Sequence, residues 1–153
     1  GFAKIVGNAK IKNDAIVWGN AEVIDATLSD RASVSGVETV VCHNAHIRDS
    51  ASVTSDASGS PWVGGNAQIQ GDSWISGHTV VTENSVVFDQ AVIEGEAQLM
   101  GDVWVCGDAR LKKGIFRSGI VNIDTENQPE KLTSTLAEPI FRQDAGGPES
   151  LFF

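Results

Sequence analysis

The chain has 153 residues, the size of a single domain. It carries 20 acidic and 11 basic residues and a formal net charge of -9, which disfavours nucleic acid or an anionic membrane surface as a partner. No apolar run reaches the roughly 20 residues of a transmembrane helix. We therefore expect one domain that binds neither nucleic acid nor membrane.

A six-residue unit recurs from Ala3 to about Gly114. Its places hold a small residue, any residue, an aliphatic residue, any residue, Gly or a turn former, and Asn or Asp. Clear copies occupy residues 3–8, 15–20, 67–72 and 97–102. Self-similarity at a fixed period is typical of solenoids. Since side chains two apart point to the same side of a strand, each unit predicts a short strand with its small and aliphatic residues inside, followed by a corner.

The spacing of the units predicts triangular coils. Ala3, Ala21 and Thr39 lie eighteen residues apart. This spacing holds although unit 21–25 is one residue shorter than the usual six and unit 32–38 is one residue longer. Three units that restore this phase indicate one closed coil of three strands. Four extra residues, 57–60, interrupt the series before eight regular units begin at residue 67. Eighteen units make about six coils, or a prism on the order of 30 Å long at roughly 4.8 Å per coil.

These units resemble the left-handed β-helix of bacterial hexapeptide-repeat proteins, especially the transferase-like branch with A-x-V-x-G-N/D units. The resemblance covers residues 3–114 and implies an all-β, left-handed parallel β-helix that forms a trimer. The handedness comes from the resemblance alone, because parallel crossovers are otherwise right-handed in about 98% of cases. We expect the β-helix over residues 1–114 and a C-terminal cap and tail over 115–153.

The tail abandons the six-residue period. Residues 115–123 predict one or two capping strands over the open end, which a solenoid needs. Residues 127–130, Asn-Gln-Pro-Glu, predict the start of a short helix that continues to Ala137. The terminal residues 151–153, Leu-Phe-Phe, are expected to pack on their own protein rather than to serve as a partner peptide. The absence of an initiator Met at Gly1 suggests that a preceding cap or domain is missing.

The two cysteines are expected to be free. Cys42 follows the aliphatic residue on the first face of coil three, and Cys106 does so on the second face of coil six. Three coils and a corner separate them by more than the roughly 7 Å that a disulfide spans. Free thiols favour a reducing compartment, so we expect a cytoplasmic protein.

Three histidines are the candidate catalytic residues. His43 is placed at the first corner of coil three, His46 outward on its second face, and His78 at the third corner of coil four. The resemblance implies a catalytic His for an acyl-CoA-dependent acyltransferase using acetyl-CoA, and a three-His zinc site between subunits for a carbonic anhydrase-like enzyme. The three are not expected to converge within one subunit, and the last units lack the I-G-A-G-S-V-V pattern of the acyltransferases. We therefore expect no metal or cofactor in the favoured interpretation.

The column of Asn and Asp at the corners is interpreted as turn chemistry and not as a calcium ladder. Asn and Asp tolerate the left-handed region and bond their own backbone. The G-G-x-G-x-D nonapeptide of calcium-binding β-rolls is absent from the sequence. Outward positions are too mixed for the regular Thr array of an ice-binding solenoid. Lys112 and Lys113 are interpreted as a solvated coil end in preference to a phosphate site.

The outward residues differ among the three faces. The second face begins basic and ends apolar, and the third is mostly Ser with Trp18, Trp74 and Val92 as exceptions. The first face presents an apolar stripe, the predicted interface: Val6, Ile24, Val40, Trp62, Val80 and Met100. Such a stripe is expected to be covered, either by a symmetry mate in a trimer or by the C-terminal tail. The sequence thus favours a rigid, trimeric β-helical scaffold or binding module of a bacterial or phage protein.

Overall fold

The computed structural model describes residues 2–122, which form a parallel β-solenoid of about seven coils stacked along one axis. The predicted all-β, parallel fold is thereby confirmed over the repeat. The helix predicted from residue 127 and the packing expected of residues 139–153 lie outside the described residues. Within residues 2–122 there is no helix long and apolar enough to cross a bilayer.

Eighteen short strands follow the repeat in the described part of the chain. In chain order they are β1 (Lys4–Val6), β2 (Lys10–Ile11), β3 (Ile16–Val17), β4 (Asn20–Ile24), β5 (Thr27–Leu28), β6 (Ser33–Ser35), β7 (Val37–Cys42), β8 (His46–Ile47), β9 (Ser52–Thr54), β10 (Trp62–Val63), β11 (Gln68–Ile69), β12 (Trp74–Ile75), β13 (Val80–Thr82), β14 (Val86–Val87), β15 (Val92–Ile93), β16 (Gln98–Val105), β17 (Arg110–Leu111) and β18 (Ile115–Val121). Strands β3, β6, β9, β12, β15 and β17 form the third face as a six-stranded sheet. The first and second faces form one 12-stranded sheet, because β16 continues around the corner between them.

The register confirms the coil phase read from the sequence. Lys4 of β1 lies opposite Glu22 of β4, eighteen residues further along the chain, and Glu22 lies opposite Val40 of β7. Between these points the short unit 21–25 reduces the spacing between paired residues by one, since Lys10 pairs with Thr27. The extra residue of unit 32–38 is absorbed as a register shift between β4 and β7. The phase is therefore restored once per coil.

The interior is filled by the small and aliphatic residues of each unit. Ala67, Ile69 and Ile75 are fully buried, whereas Gln68 and Trp74 beside them are exposed. Neighbouring coils place aliphatic side chains opposite one another, as Ile69 lies opposite Val87. This alternation confirms the predicted inward and outward assignment.

The corners depend on the fifth place of each unit. In coil one Gly7, Asn13 and Gly19 adopt left-handed φ angles of 58 to 72°. We expected the Asn or Asp at the sixth place to adopt the left-handed conformation. This prediction was wrong, because the residue at the fifth place adopts it instead. At the first corner the sixth-place side chains instead form a ladder between coils. Asn66 Nδ2 donates to Asn84 Oδ1 at 3.3 Å, and Asn84 Nδ2 donates to Asp102 Oδ1 at 3.0 Å.

The two ends of the described prism differ. At the N-terminal end Ile5 is 52% exposed, although its counterpart Val23 in the next coil is fully buried. At the other end Phe116 of β18 is buried opposite Leu99 of β16. This large side chain fills the end of the interior. The finding confirms a strand within segment 115–123, at Ile115–Val121, and accounts for the additional coil.

The inserted residues 57–60 form a tight loop at the third corner. Asp56 and Gly59 make an antiparallel bridge, and Asp56 Oδ1 accepts bonds from the N–H and the hydroxyl of Ser58 at 2.7 and 2.6 Å. The Ser58 hydroxyl bond is the main cause that lowers the pKa of Asp56. A Cβ added at Gly59 would lie 2.6 Å from Cβ of His78, so the loop packs directly on the neighbouring coil.

Candidate functional site: the apolar stripe of the first face

The predicted stripe occupies two parallel rows on the first face. Val40, Trp62 and Val80 are register neighbours in one row. Val6 and Ile24 are neighbours in the other row, where Met100 later pairs with Thr82. The stripe thus crosses between rows near coil three and returns near its end.

Exposure varies along the stripe. Val6, Trp62 and Met100 are exposed, and Ile24, Val40 and Val80 are half-buried. Lys4 and Glu22 precede Val40 in its row, and Gln98 follows Val80. The broadest apolar segment is therefore bounded by polar side chains at both ends. Such a patch is typical of a surface that meets another protein segment.

A cluster around Trp62 marks the centre of the stripe. The imidazole of His43 lies edge-on to the indole of Trp62, with ring centroids 6.1 Å apart and planes at 64°. His43 Nδ1 is 3.0 Å from Sγ of Cys42. A Cβ added at Gly64 would lie 2.7 Å from the Trp62 ring and 3.2 Å from the Cys42 sulfur. The indole therefore lies across Gly64, and only glycine leaves room for it.

The Cys42–His43 contact was missed in the sequence, where the two residues were considered separately. His43 has a φ of 61°, in the left-handed region that few residues with a side chain adopt. This corner conformation brings the imidazole back towards the preceding thiol. Their adjacency at a predicted corner is the sequence signal by which the contact could have been found.

Neither thiol has the character of an activated nucleophile. Burial, followed by the nearby charge of Glu22, raises the pKa of Cys42. Burial, followed by the charge of Asp89, raises the pKa of Cys106 to about 11. Because the thiolate is the reactive form, both side chains are protonated at neutral pH. Both cysteines are free, as the sequence predicted.

The three histidines occupy separate places in the described chain. His43 lies at the first corner, His46 faces outward on β8 between Thr27 and Gln68, and His78 is exposed at the third corner beside the inserted loop. In residues 2–122, no three His, Cys, Asp or Glu side chains are grouped so that they could hold a metal ion.

A shallow groove of about 320 Å³ lies at the second corner. It is lined by Gly71, Asp72, Asp89, Gln90, Gly107 and Asp108. Asp89 Oδ2 accepts a hydrogen bond from the backbone N–H of Gly107 at 2.9 Å. This carboxylate is thus used to connect coils. The groove is an acidic part of the corner structure.

Charge is unevenly distributed along the prism. Residues 2–20 carry three lysines and one aspartate. Residues 21–108 carry thirteen acidic residues and two arginines, and residues 109–122 carry four basic residues and no acidic residue. Both ends of the described solenoid are therefore positive and its middle is strongly negative.

Comparisons of the chain with models of protein families, with curated proteins and with solved structures find no match. The fold itself defines the class, a parallel β-solenoid consistent with a β-helix. Its described surface combines an apolar stripe on one face with hydrogen-bonded corners.

Proposed function

We propose that the protein is a rigid scaffold that assembles as a homotrimer through the first face, as part of a bacterial or phage protein. The observation that carries the proposal is the apolar stripe, which follows the length of a prism whose coils are joined by continuous backbone hydrogen bonding. A stacked sheet holds the side chains of this stripe in fixed positions, so little ordering is needed on binding, which favours a scaffold role.

Trp62 is the central contact in this proposal. Its indole is 37% exposed, lies across Gly64 and makes an edge-on contact with His43. A large aromatic ring that is already ordered makes an effective anchor at a protein interface. The half-buried Val40 and Val80 on either side extend the contact along the same row.

The oligomeric mass of the full chain tests the assembly. Light scattering is expected to give the mass of a trimer for the parent and of a monomer for Trp62→Glu, because the substitution places a charge at the centre of the contact. Gln68→Glu on the second face is the matched control and should stay trimeric. A monomeric parent, or a trimeric Trp62→Glu variant, would contradict the proposal.

The alternative cover, the chain's own tail, is tested by truncation after Ala137. Loss of this segment is expected to leave the trimer intact if the stripe contacts a second copy. A changed mass or lowered solubility would instead assign the cover to residues 139–153. A truncated chain and a Trp62→Glu variant that both keep the parent's mass, solubility and melting temperature would show that the stripe is not an interface.

Ligand binding separates the scaffold from the two enzyme hypotheses. A scaffold is expected to bind no acetyl-CoA, and His43→Ala, His46→Ala and His78→Ala should leave its assembly nearly unchanged. Calorimetry with acetyl-CoA and metal analysis of the purified protein provide the measurements. Acetyl-CoA binding would support the acyltransferase, and stoichiometric zinc that is lost in the His variants would support the carbonic anhydrase-like enzyme.

A further inference from the structure

The third face contains a feature that the scaffold role does not use. Between coils one and four, two exposed tryptophans stand on either side of small hydroxyl side chains. One row contains Ile16, Ser33, Ser52 and Trp74, which are successive register neighbours. In the other row Ser35 is paired with Thr54. Trp18 of coil one belongs to this row as well, because Trp18 and Ser35 directly follow the paired residues Val17 and Val34.

The four coils form a shallow trough. Its floor consists of the hydroxyl residues Ser33, Ser35, Ser52 and Thr54 on β6 and β9. Trp18 and Ile16 rise from coil one, and Trp74 rises from coil four. Three coil spacings separate the two walls, or about 14 Å between their backbones. The larger side chains therefore stand above a flat, polar floor.

The tryptophans are unusually accessible. Trp18 is 59% exposed and Trp74 is 46% exposed, although tryptophan is among the residues that are most buried on average. An indole ring on a rigid sheet provides a flat, electron-rich face with a fixed position. Two such faces are available to a ligand without rearrangement of the backbone.

The floor is polar but uncharged. None of its four side chains is ionisable, in a chain with 20 acidic and 11 basic residues. Ser35 Oγ donates to Thr54 Oγ1 at 2.9 Å, and Thr54 Oγ1 donates to the carbonyl of Ser55 at 3.3 Å. A hydroxyl both donates and accepts, so Ser33 and Ser52 at the half-buried surface offer both functions to a ligand.

We propose that this trough is a binding site for a neutral carbohydrate. A sugar ring has a C–H-rich face that packs on an indole and hydroxyls that exchange hydrogen bonds with Ser and Thr. Asp30, Asp49 and Asp72 outnumber Arg31 along the corner that precedes the third face, and the resulting negative charge disfavours an anionic glycan. The absence of charge on the floor avoids burying an unpaired ion beneath the sugar.

Titration of the full chain with hexasaccharides of cellulose, xylan and chitin tests the site, with an alginate hexasaccharide as the anionic probe. Binding to at least one neutral hexasaccharide is expected, and Trp18→Ala and Trp74→Ala should each weaken it about tenfold or more, as stacked aromatic contacts do. Trp104→Ala on the second face removes an equally accessible indole and should leave the affinity unchanged.

Failure to bind any of the neutral hexasaccharides would overturn the proposal. So would an equal loss of affinity in Trp104→Ala, or tighter binding of alginate. The oligomeric mass of each variant is measured in parallel. Because Trp18 and Trp74 lie on the third face, loss of sugar binding with an unchanged mass separates this site from the first-face interface.

Discussion

Asp49 Oδ2 accepts a hydrogen bond from the backbone N–H of Gly71 at 2.9 Å, one coil further along the prism. Both residues are in the left-handed conformation at the second corner, with φ angles of 60° and 69°. Asp89 repeats the arrangement with Gly107. A carboxylate at a corner thus supplies the acceptor that the next corner's N–H needs, and adjacent coils are joined at their edges as well as along their strands.

Removing this acceptor should weaken the stack. Asp49→Ala loses the bond to Gly71 and the polar side chain that makes the left-handed region tolerable for Asp, so we expect a loss of about 1 to 2 kcal/mol in the free energy of unfolding. Asp49→Asn retains an acceptor oxygen and should stay close to the parent. Urea denaturation measures both, and equal stability of the Ala and Asn variants would contradict the role of the bond.

The interior should not accept a charge. Ile69 is fully buried, and Ile69→Asp places a carboxylate in a narrow prism without a partner, which is expected to cost several kcal/mol, on the order of 4. Gln68→Asp, one position away on the exposed side, is the control and should change stability little. Two similar denaturation midpoints would show that the inward and outward assignment is out of phase.

Two buried hydroxyls offer a route to greater stability. Among residues 2–122, Oγ1 of Thr39 and of Thr79 is buried without a hydrogen-bond partner. Thr79→Val replaces the hydroxyl with a methyl group of similar size and is expected to stabilise the protein by about 1 kcal/mol. Ser85→Ala is the contrasting variant, since Ser85 Oγ donates to the carbonyl of Thr82 at 2.8 Å and its removal should destabilise. Thermal melts that rank these variants the other way would refute the explanation.

Thiol reactivity should rise steeply with pH. With a pKa of about 11, only about one thousandth of Cys106 is thiolate at pH 8, so its alkylation should be far slower than that of a free cysteine. The rate is expected to increase about tenfold for each pH unit up to about pH 10. Iodoacetamide labelling of Cys42→Ser isolates Cys106, and rapid labelling at pH 7 would contradict the effect of burial.

The positive ends of the prism should oppose stacking of one solenoid on another. Both ends of the described solenoid present strand edges, which favour association, and lysines at an edge are a common protection against it. A triple variant tests this protection by replacing the three lysines of the N-terminal end with Glu: Lys4→Glu, Lys10→Glu and Lys12→Glu. Its acidic end would then lie opposite the basic residues 110–117 of another copy. We expect end-to-end assembly at low salt that disperses at about 0.5 M salt, where screening is strong.

Light scattering and electron microscopy of this variant measure the assembly. The corresponding Lys→Gln triple variant removes repulsion without adding attraction and should assemble less. A charge-reversed variant with the parent's mass at low salt would show that end charge does not control stacking.

The sequence determined the solenoid because its information is local and repeated. Alternation of Ile69 with Gln68 fixes which side faces the interior, and the eighteen-residue phase from Ala3 to Thr39 fixes which strands are neighbours. The corners followed from Gly or another turn former at the fifth place of each unit, although the Asn or Asp after it does not adopt the left-handed conformation that was expected. Each of these features recurs at a regular interval along the chain, so periodicity was sufficient to predict them.

Only the tertiary structure decided which side chains meet between coils. Trp62 is held over Gly64 beside Cys42, and this coil is longer than eighteen residues, since Val40 pairs with Trp62. The edge-on contact of His43 with Trp62 and the filling of the end of the described prism by Phe116 were likewise not given by spacing. Rotamers and ring positions depend on neighbours about 20 residues away, and a pattern along one strand carries no information about them.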